Sequence, residues 1–430
     1  MKIIKYPNED VWPKILKRPL KDNEHLFDIV NEVLEDVKLN GDEAIKKYEL
    51  KFDNVQLKSL LVSEQEFIDA ESHVDDVLKQ SIVHAYNNVS IFHKSQLFQS
   101  KHIQTEQGVV CWQRAVPIQK VGLYVPGGTA PLFSTVIMLA TPAKIAGCKD
   151  VILCSPPNSQ GLIHPAILFA SKIAGVNKVF KIGGVQAIAA MAYGTETVPK
   201  TFKIYGPGNQ FVMAAKQTVS LHDVAIDMPA GPSEVAVIAD VNSNPDFVAA
   251  DLLSQAEHGP DSQVLLISDS ETLILAVNEC IEKQLKMLPR IEIAKQVLLN
   301  SKCILVHDMS EAMKMVNEYA PEHLILAVDD YESLSDMVVN AGSVFLGNFS
   351  CESAGDYASG TNHTLPTNGY ANMYSGVSVD SFIKKISFQK ISKEGVLSIA
   401  NTVETMAHHE MLFAHENAMR IRRQYVLNNK

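Results

Sequence analysis

The spacing of apolar positions changes near residue 117. Before it, apolar residues recur at helical intervals. In 23–38, Leu26, Ile29, Val30, Val33, Leu34 and Val37 share one helical face. Asn40-Gly41 is expected to stop that helix. The ranges 43–50 and 64–93 continue the pattern, so 1–115 reads as helical and charged.

From 121 onward, short β-branched runs alternate with amphipathic stretches. The runs 121–125, 151–154, 179–182 and 202–205 predict strands. The stretches 131–146, 165–174, 185–193 and 209–220 predict helices between them. A second block repeats the texture. Its strands are expected at 235–238, 264–267, 303–306, 324–327 and 343–346. Its helices are expected at 245–256, 271–285, 291–299, 310–318 and 333–340. Such alternation implies mostly parallel sheets with helices on both faces, hence two α/β domains in tandem. The run ESAGDYASGTNHTLPTNGYANMYSG, from Glu352, reads as a long loop, and long loops in compact domains are commonly functional. Helical spacing returns over 392–425, with His408, His409 and His415. That tail would pack on its own chain or on a neighbour's.

Four segments follow: an N-terminal helical segment (1–116), a first α/β domain on the cofactor side (117–235), a second with the metal and acid/base residues (236–366), and a C-terminal loop and helical extension (367–430). The length, 430 residues, agrees with about three domains. The net charge of −11 argues against a nucleic-acid partner. The first residues show no apolar core of a secretory signal. The longest apolar stretch, 132–146, is interrupted by Ser134, Thr135, Thr141, Pro142 and Lys144 and is too short and polar to span a bilayer. Six scattered cysteines without a CxxC pair read as reduced thiols in a cytoplasmic protein.

Several motifs offer chemistry. In QAEHGP, Gln255 and His258 are i and i+3 at a helix end and share one face; a plain helix C-terminus would look the same. In GDYASGTNH, Asp356 and His363 suit metal ligation, or simple turn capping. Ala320-Pro321-Glu322-His323 offers an acid/base pair near neutral pH, unless Glu322 is solvated and His323 packed. His415 stands on the C-terminal helix, five residues after Glu410. Gly-rich turns follow three first-block strands, at Gly127-Gly128, Gly183-Gly184 and Gly206-Pro207-Gly208-Asn209, yet no GxGxxG is present. DMPAGPSE displays Ser233 and Glu234 before a strand, or is an interdomain linker. Together, Gln255, His258, Asp356 and His415 form a two-nitrogen, two-oxygen donor set suited to Zn²⁺, although spacing does not show that they converge.

VGLYVPGGTAPLFSTV, GGVQAIAA, GPGN, DMPAGPSE, QAEHGPDSQ, APEHL and ESAGDYASGTNHTLPT resemble the histidinol dehydrogenase family, from about residue 117 to 366. The resemblance implies two incomplete Rossmann-like domains with parallel sheets. It implies an NAD-linked, zinc-containing homodimer that oxidises L-histidinol to L-histidine through the aldehyde, the last step of histidine biosynthesis. It assigns zinc to Gln255, His258, Asp356 and His415, and the catalytic acid/base roles to Glu322 and His323. Ser233, His363 and Glu410, with the zinc residues and His323, fall at substrate positions. Tyr124, Gln186 and Asn209 fall at cofactor positions. The C-terminal segment is expected to reach the partner subunit. Neighbours in a regular strand face opposite sides, so Glu322 and His323 are expected before the first regular ladder bond. The rival readings are a zinc-dependent hydrolase of a small amide or ester, with Glu322 as base, and a small-molecule binding protein.

Overall fold

The computed structural model describes residues 1–19, 25–127, 130–229 and 231–429. The expectations touching Asn23, Gly128 and Ala230 lie outside these residues. The chain forms two compact units, Met1–Gln96 with Gln119–Ser381, and Leu97–Ile118 with Phe382–Lys430.

The first unit holds two parallel sheets. Their inner strands are mostly apolar, and every residue of Glu234–Ala239 and of Gln263–Ser268 is buried. Helices on both faces demand this pattern rather than alternation. One sheet runs in the order Lys178–Lys181, Asp150–Ser155, Lys120–Tyr124, Lys203–Tyr205, Ala225–Ile226. The other runs Lys2–Lys5, Lys302–Leu305, Gln263–Ser268, Glu234–Ala239, His323–Ala327, Ser343–Leu346. In each, the block's first strand is central, the next two extend to one side and the last two to the other. The two blocks therefore share a topology, with Lys2–Lys5 added at one edge of the second.

The expected helices form with small shifts. Pro165–Ala174 and Pro245–Ala256 match, each with Pro in its first turn, where no N–H is missed. Leu26–Asp53 is one helical run broken at Gly41 (φ 52°, ψ −131°). Asp42 N–H donates to Glu196 Oε2 at 2.9 Å, so a distant carboxylate caps the second half. The stop expected at Asn40-Gly41 is thus a kink.

Three expectations need correction. Residues 1–115 are not wholly helical, since Lys2–Lys5, Ile103–Glu106 and Val109–Pro117 are strands whose partners are mostly distant in sequence. The loop after 352 starts as a short helix, Glu352–Tyr357, despite its Gly and Ser. The helix expected at 333–340 is only Tyr331–Ser335.

The second unit contains an antiparallel sheet ordered Ile383–Ile391, Val109–Pro117, Ile103–Glu106. Trp112 stacks on Phe388 at 5.4 Å and on His102 at 4.7 Å. Its tail is two helices, Lys393–His409 and Phe413–Asn428, separated where Met411 adopts φ 56°.

Candidate active site

The helix Met309–Tyr319 ends at buried Ala320, which takes a left-handed conformation (φ 49°). Pro321 follows. Glu322 precedes the strand, and His323 is its first residue, paired with Val235 and Ser343. The irregular backbone therefore lies at Ala320-Pro321, one step earlier than expected, and His323 already stands in the ladder. The side chains still meet: Glu322 Oε2 lies 3.7 Å from His323 Nδ1. The main chain of Glu234 serves both. Its N–H donates to Glu322 Oε2 at 3.0 Å, and its carbonyl lies 3.4 Å from His323 Nδ1. That contact assigns the proton to Nδ1 and leaves Nε2 as the free base nitrogen. His323 Nε2 is buried without a hydrogen-bond partner among the described residues.

Around this pair the short helix Glu352–Tyr357 contributes two carboxylates at i and i+4, hence on one face. His323 Nδ1 lies 3.8 Å from Glu352 Oε1, and His323 Nε2 lies 3.8 Å from Asp356 Oδ1. His363 Nδ1 donates to the Asp356 carbonyl at 3.0 Å. Thr135, on a helix of the first sheet, meets His363 Nε2 at 3.3 Å. The helix Pro245–Ala256 brings Gln255 fully buried to the same pocket, and His258 follows on its exposed side. The Gln255 amide satisfies its surroundings with Nε2 donating to Glu352 and Oε1 accepting from Glu234 N–H at 3.1 Å. Ser233 stands next to Glu234 in the turn before the strand.

One ligand atom from each of His258, Glu352 and Asp356 lies within 4.8 Å of the others. Glu352 was not anticipated from the sequence. Its i, i+4 spacing to Asp356 in ESAGD was the available signal, hidden because that run resembles a loop.

Burial dominates the electrostatics of the pocket. Burial pushes the Glu322 and Glu352 carboxyls well above the usual range, and neighbouring carboxylates add to this. Burial pushes Asp356 up to about 6, with His258 opposing. Burial holds His323 down to about 3 and His363 down to about 4, so both imidazoles are neutral. Three acids crowd the site, and among the described residues Asp356 Oδ1 is buried without a hydrogen-bond partner. The donor set of imidazole nitrogen and carboxylate oxygen fits a divalent cation such as Zn²⁺.

The expected cofactor residues gather at the carboxyl ends of the first sheet. Tyr124 ends its central strand, and its hydroxyl accepts from Gly184 N–H at 3.1 Å. Gln186 is buried in the first turn of the helix Gly184–Tyr193. Asn209 caps the helix Gln210–Ser220, its Oδ1 accepting from Phe211 and Val212 at 3.1 Å each. Gly206 is held at φ 123°, where a Cβ would lie 2.0 Å from the Tyr124 carbonyl, so only glycine fits this turn. The buried Lys216–Asp227 pair clamps it: Gly206 N–H donates to Asp227 at 2.8 Å, and Lys216 donates to the Gly206 carbonyl at 2.8 Å. The carboxyl ends of one sheet and the amino ends of the other thus carry the two halves of the expected site.

Glu410 and His415 belong to the second unit. Glu410 ends the helix Lys393–His409, and His415 lies in the first turn of Phe413–Asn428. None of the six cysteines forms a disulfide. Among the described residues, no helix is long and apolar enough to cross a membrane.

Two parallel sheets of dehydrogenase-like strand order, a glycine-rich switch point and a buried acid–imidazole cluster define an α/β oxidoreductase. The family model described as histidinol dehydrogenase matches residues 16–423. Histidinol dehydrogenase of Bacteroides thetaiotaomicron is 60% identical over 98% of this chain and 99% of its own. That of Escherichia coli (strain K12) is 50% identical over 95% and 94%. The crystal structure of histidinol dehydrogenase from Elizabethkingia anophelis superposes with a TM-score of 0.97 at 52% identity, covering 99% and 98% of the two chains. The chain belongs to the histidinol dehydrogenase family, and it is an oxidoreductase that uses NAD. Nothing supports the hydrolase reading.

Proposed function

We propose that this chain oxidises L-histidinol to L-histidine in two hydride transfers to NAD, in the cytoplasm. The observation that carries the reading is the Glu322–His323 pair set beside the His258, Glu352 and Asp356 donors in one pocket.

The substrate carries an imidazole and an amine flanking a primary alcohol, and both nitrogens suit a borderline metal. A bound Zn²⁺ would supply orientation, pinning the carbinol carbon opposite the nicotinamide. Gln255, His258 and Asp356, with His415, are the proposed holders, and Glu352 is a further carboxylate within reach. His415 belongs to the C-terminal helices, the segment expected to contact the partner subunit of a homodimer.

His323 is neutral, so Nε2 accepts the alcohol proton as hydride leaves the carbon for NAD. The ionised form of Glu322 then takes a proton from the water that adds to the aldehyde carbon. Loss of a second hydride from the hydrate, to a second NAD, leaves the carboxylate. One alcohol and one water thus yield one carboxylate, two NADH and three protons. Ser233, His363 and Glu410 orient the substrate, and Tyr124, Gln186 and Asn209 hold the cofactor.

The test is NADH absorbance on adding histidinol, with and without a chelator. Two NADH per substrate, lost with the chelator and restored by Zn²⁺, is expected. No NADH on adding histidinol would overturn the proposal.

A further inference from the structure

Glu49 lies in the N-terminal helical run, a segment with no assigned chemistry. It is fully buried. Two donors converge on a single oxygen, Oε1: Gly183 N–H at 2.9 Å and Gln186 Nε2 at 2.8 Å. Gly183 is the N-cap of the helix Gly184–Tyr193. A helix N-terminus after a first-sheet strand is where a phosphate would ordinarily bind, because amide donors and the helix dipole favour an anion. Here a carboxylate of the chain's own fills that place.

The contact also fixes an orientation. An oxygen already accepting from a main-chain N–H faces nitrogen, not oxygen, of the Gln186 amide. Gln186 Oε1 therefore points away from Glu49, and it is buried without a partner among the described residues. It lies beside Gly184, 3.1 Å from where a Cβ there would be, and Gly184 N–H binds the Tyr124 hydroxyl. Glu49, Gly183, Gly184, Gln186 and Tyr124 form one connected cluster. Asp53, the Tyr124 phenol and Cys154 are its remaining ionisable neighbours.

We propose that Glu49 is a positioning residue of the cofactor site: it holds the Gln186 amide so that Oε1 receives a hydrogen-bond donor of NAD, a hydroxyl or an amide, and not a phosphate. This rests on the assignment of Tyr124 and Gln186 to the cofactor. Burial of an unpaired carboxylate oxygen is costly, and the position is retained because the two donors it engages organise the site.

The experiment uses the intact enzyme with Glu49→Leu, Glu49→Gln, Gln186→Ala and Tyr124→Phe. NADH affinity, both KM values, metal content and melting temperature are read together. Glu49→Leu removes the acceptor at similar volume and is expected to weaken NADH binding about tenfold, with the histidinol KM and metal content unchanged. Glu49→Gln keeps a carbonyl acceptor and is expected to restore most of that affinity. Inorganic pyrophosphate should compete equally well in the parent and in Gln186→Ala. If Gln186→Ala and Tyr124→Phe weaken NADH binding and Glu49→Leu does not, the positioning role is wrong. If Glu49→Leu raises both KM values and lowers the melting temperature together, Glu49 belongs only to the core. If Gln186→Ala abolishes pyrophosphate competition, the donor assignment is wrong. If neither Gln186→Ala nor Tyr124→Phe affects NADH, it is the underlying cofactor reading that fails.

Discussion

The main-chain N–H of Glu234 donates to Glu322 Oε2 at 3.0 Å, while the Glu234 side chain is held by Arg18 Nε at 2.6 Å and by Asn368 N–H. A part-buried ion pair therefore holds the residue whose peptide positions Glu322 and His323, the proposed acid/base pair. Arg18 also donates to the Tyr319 carbonyl at 2.6 Å and stacks on the Tyr319 ring at 4.0 Å. Arg18→Ala leaves the buried Glu234 carboxylate without its cationic partner, held only by neutral donors such as the Asn368 N–H, and should cost about 3 kcal/mol of stability. Arg18→Lys should not rescue it, since an ammonium cannot reproduce the fork. Denaturant unfolding checks both, with kcat expected to fall in each.

Glu322→Gln should split the two half-reactions. Oxidation of supplied histidinal is expected to drop by about a hundredfold or more, the usual contribution of a positioned base. The alcohol step should retain part of its rate. Single-turnover NADH formation from each substrate distinguishes them, and equal damage to both would reject the role.

His258→Asn should lose metal and turnover together. Glu352→Gln, which keeps shape but removes a charge from the cluster, should lower Zn²⁺ affinity about tenfold to a hundredfold. Metal content after dialysis against a graded chelator gives the readout. Full turnover in a metal-free His258 variant would contradict the proposed centre.

Subunit mixing tests where His415 acts. If it completes the site of a partner, inactive His258→Asn and His415→Asn proteins, unfolded and reassembled together, should recover about a quarter of parental activity, from one intact site in the mixed half of the dimers. A site completed within one chain would recover none.

Burial pushes Glu49 from 4.5 to about 7, with Gln186 and Gly183 pulling back. A raised carboxyl means the folded state binds its proton more tightly than the unfolded chain. The associated stability is full below pH 4.5 and is lost as the pH rises through 7, up to about 3 kcal/mol. Parent and Glu49→Gln should therefore diverge over that window, with the variant gaining relative to the parent as pH rises. Urea titrations at several pH values check the sign.

The alternating pattern announced the two sheets because strands covered on both faces are short apolar runs between amphipathic helices. The features that stayed hidden depend on remote partners. Val109–Pro117 is a strand because Ile383–Ile391 pairs with it. Glu49 sits in KKYELKFD and looks like a solvated helix residue; only packing against the Gly184–Tyr193 helix buries it. Asp356 reads from the sequence as a candidate ligand in a loop, whereas a helical turn presents it together with Glu352. The Glu322–His323 motif was visible, but not that the Glu234 peptide would hold both.

The sheet of the second unit has a consequence for biosynthesis. Its central strand, Val109–Pro117, emerges from the ribosome long before Ile383–Ile391, with which it forms nine residue pairs. Until the last part of the chain is made, that strand carries a row of unsatisfied amides and carbonyls beside Trp112, an invitation to pair with another nascent chain. Slow or truncated synthesis past residue 382 should thus favour aggregation over a stable shortened product, whatever the state of the catalytic unit.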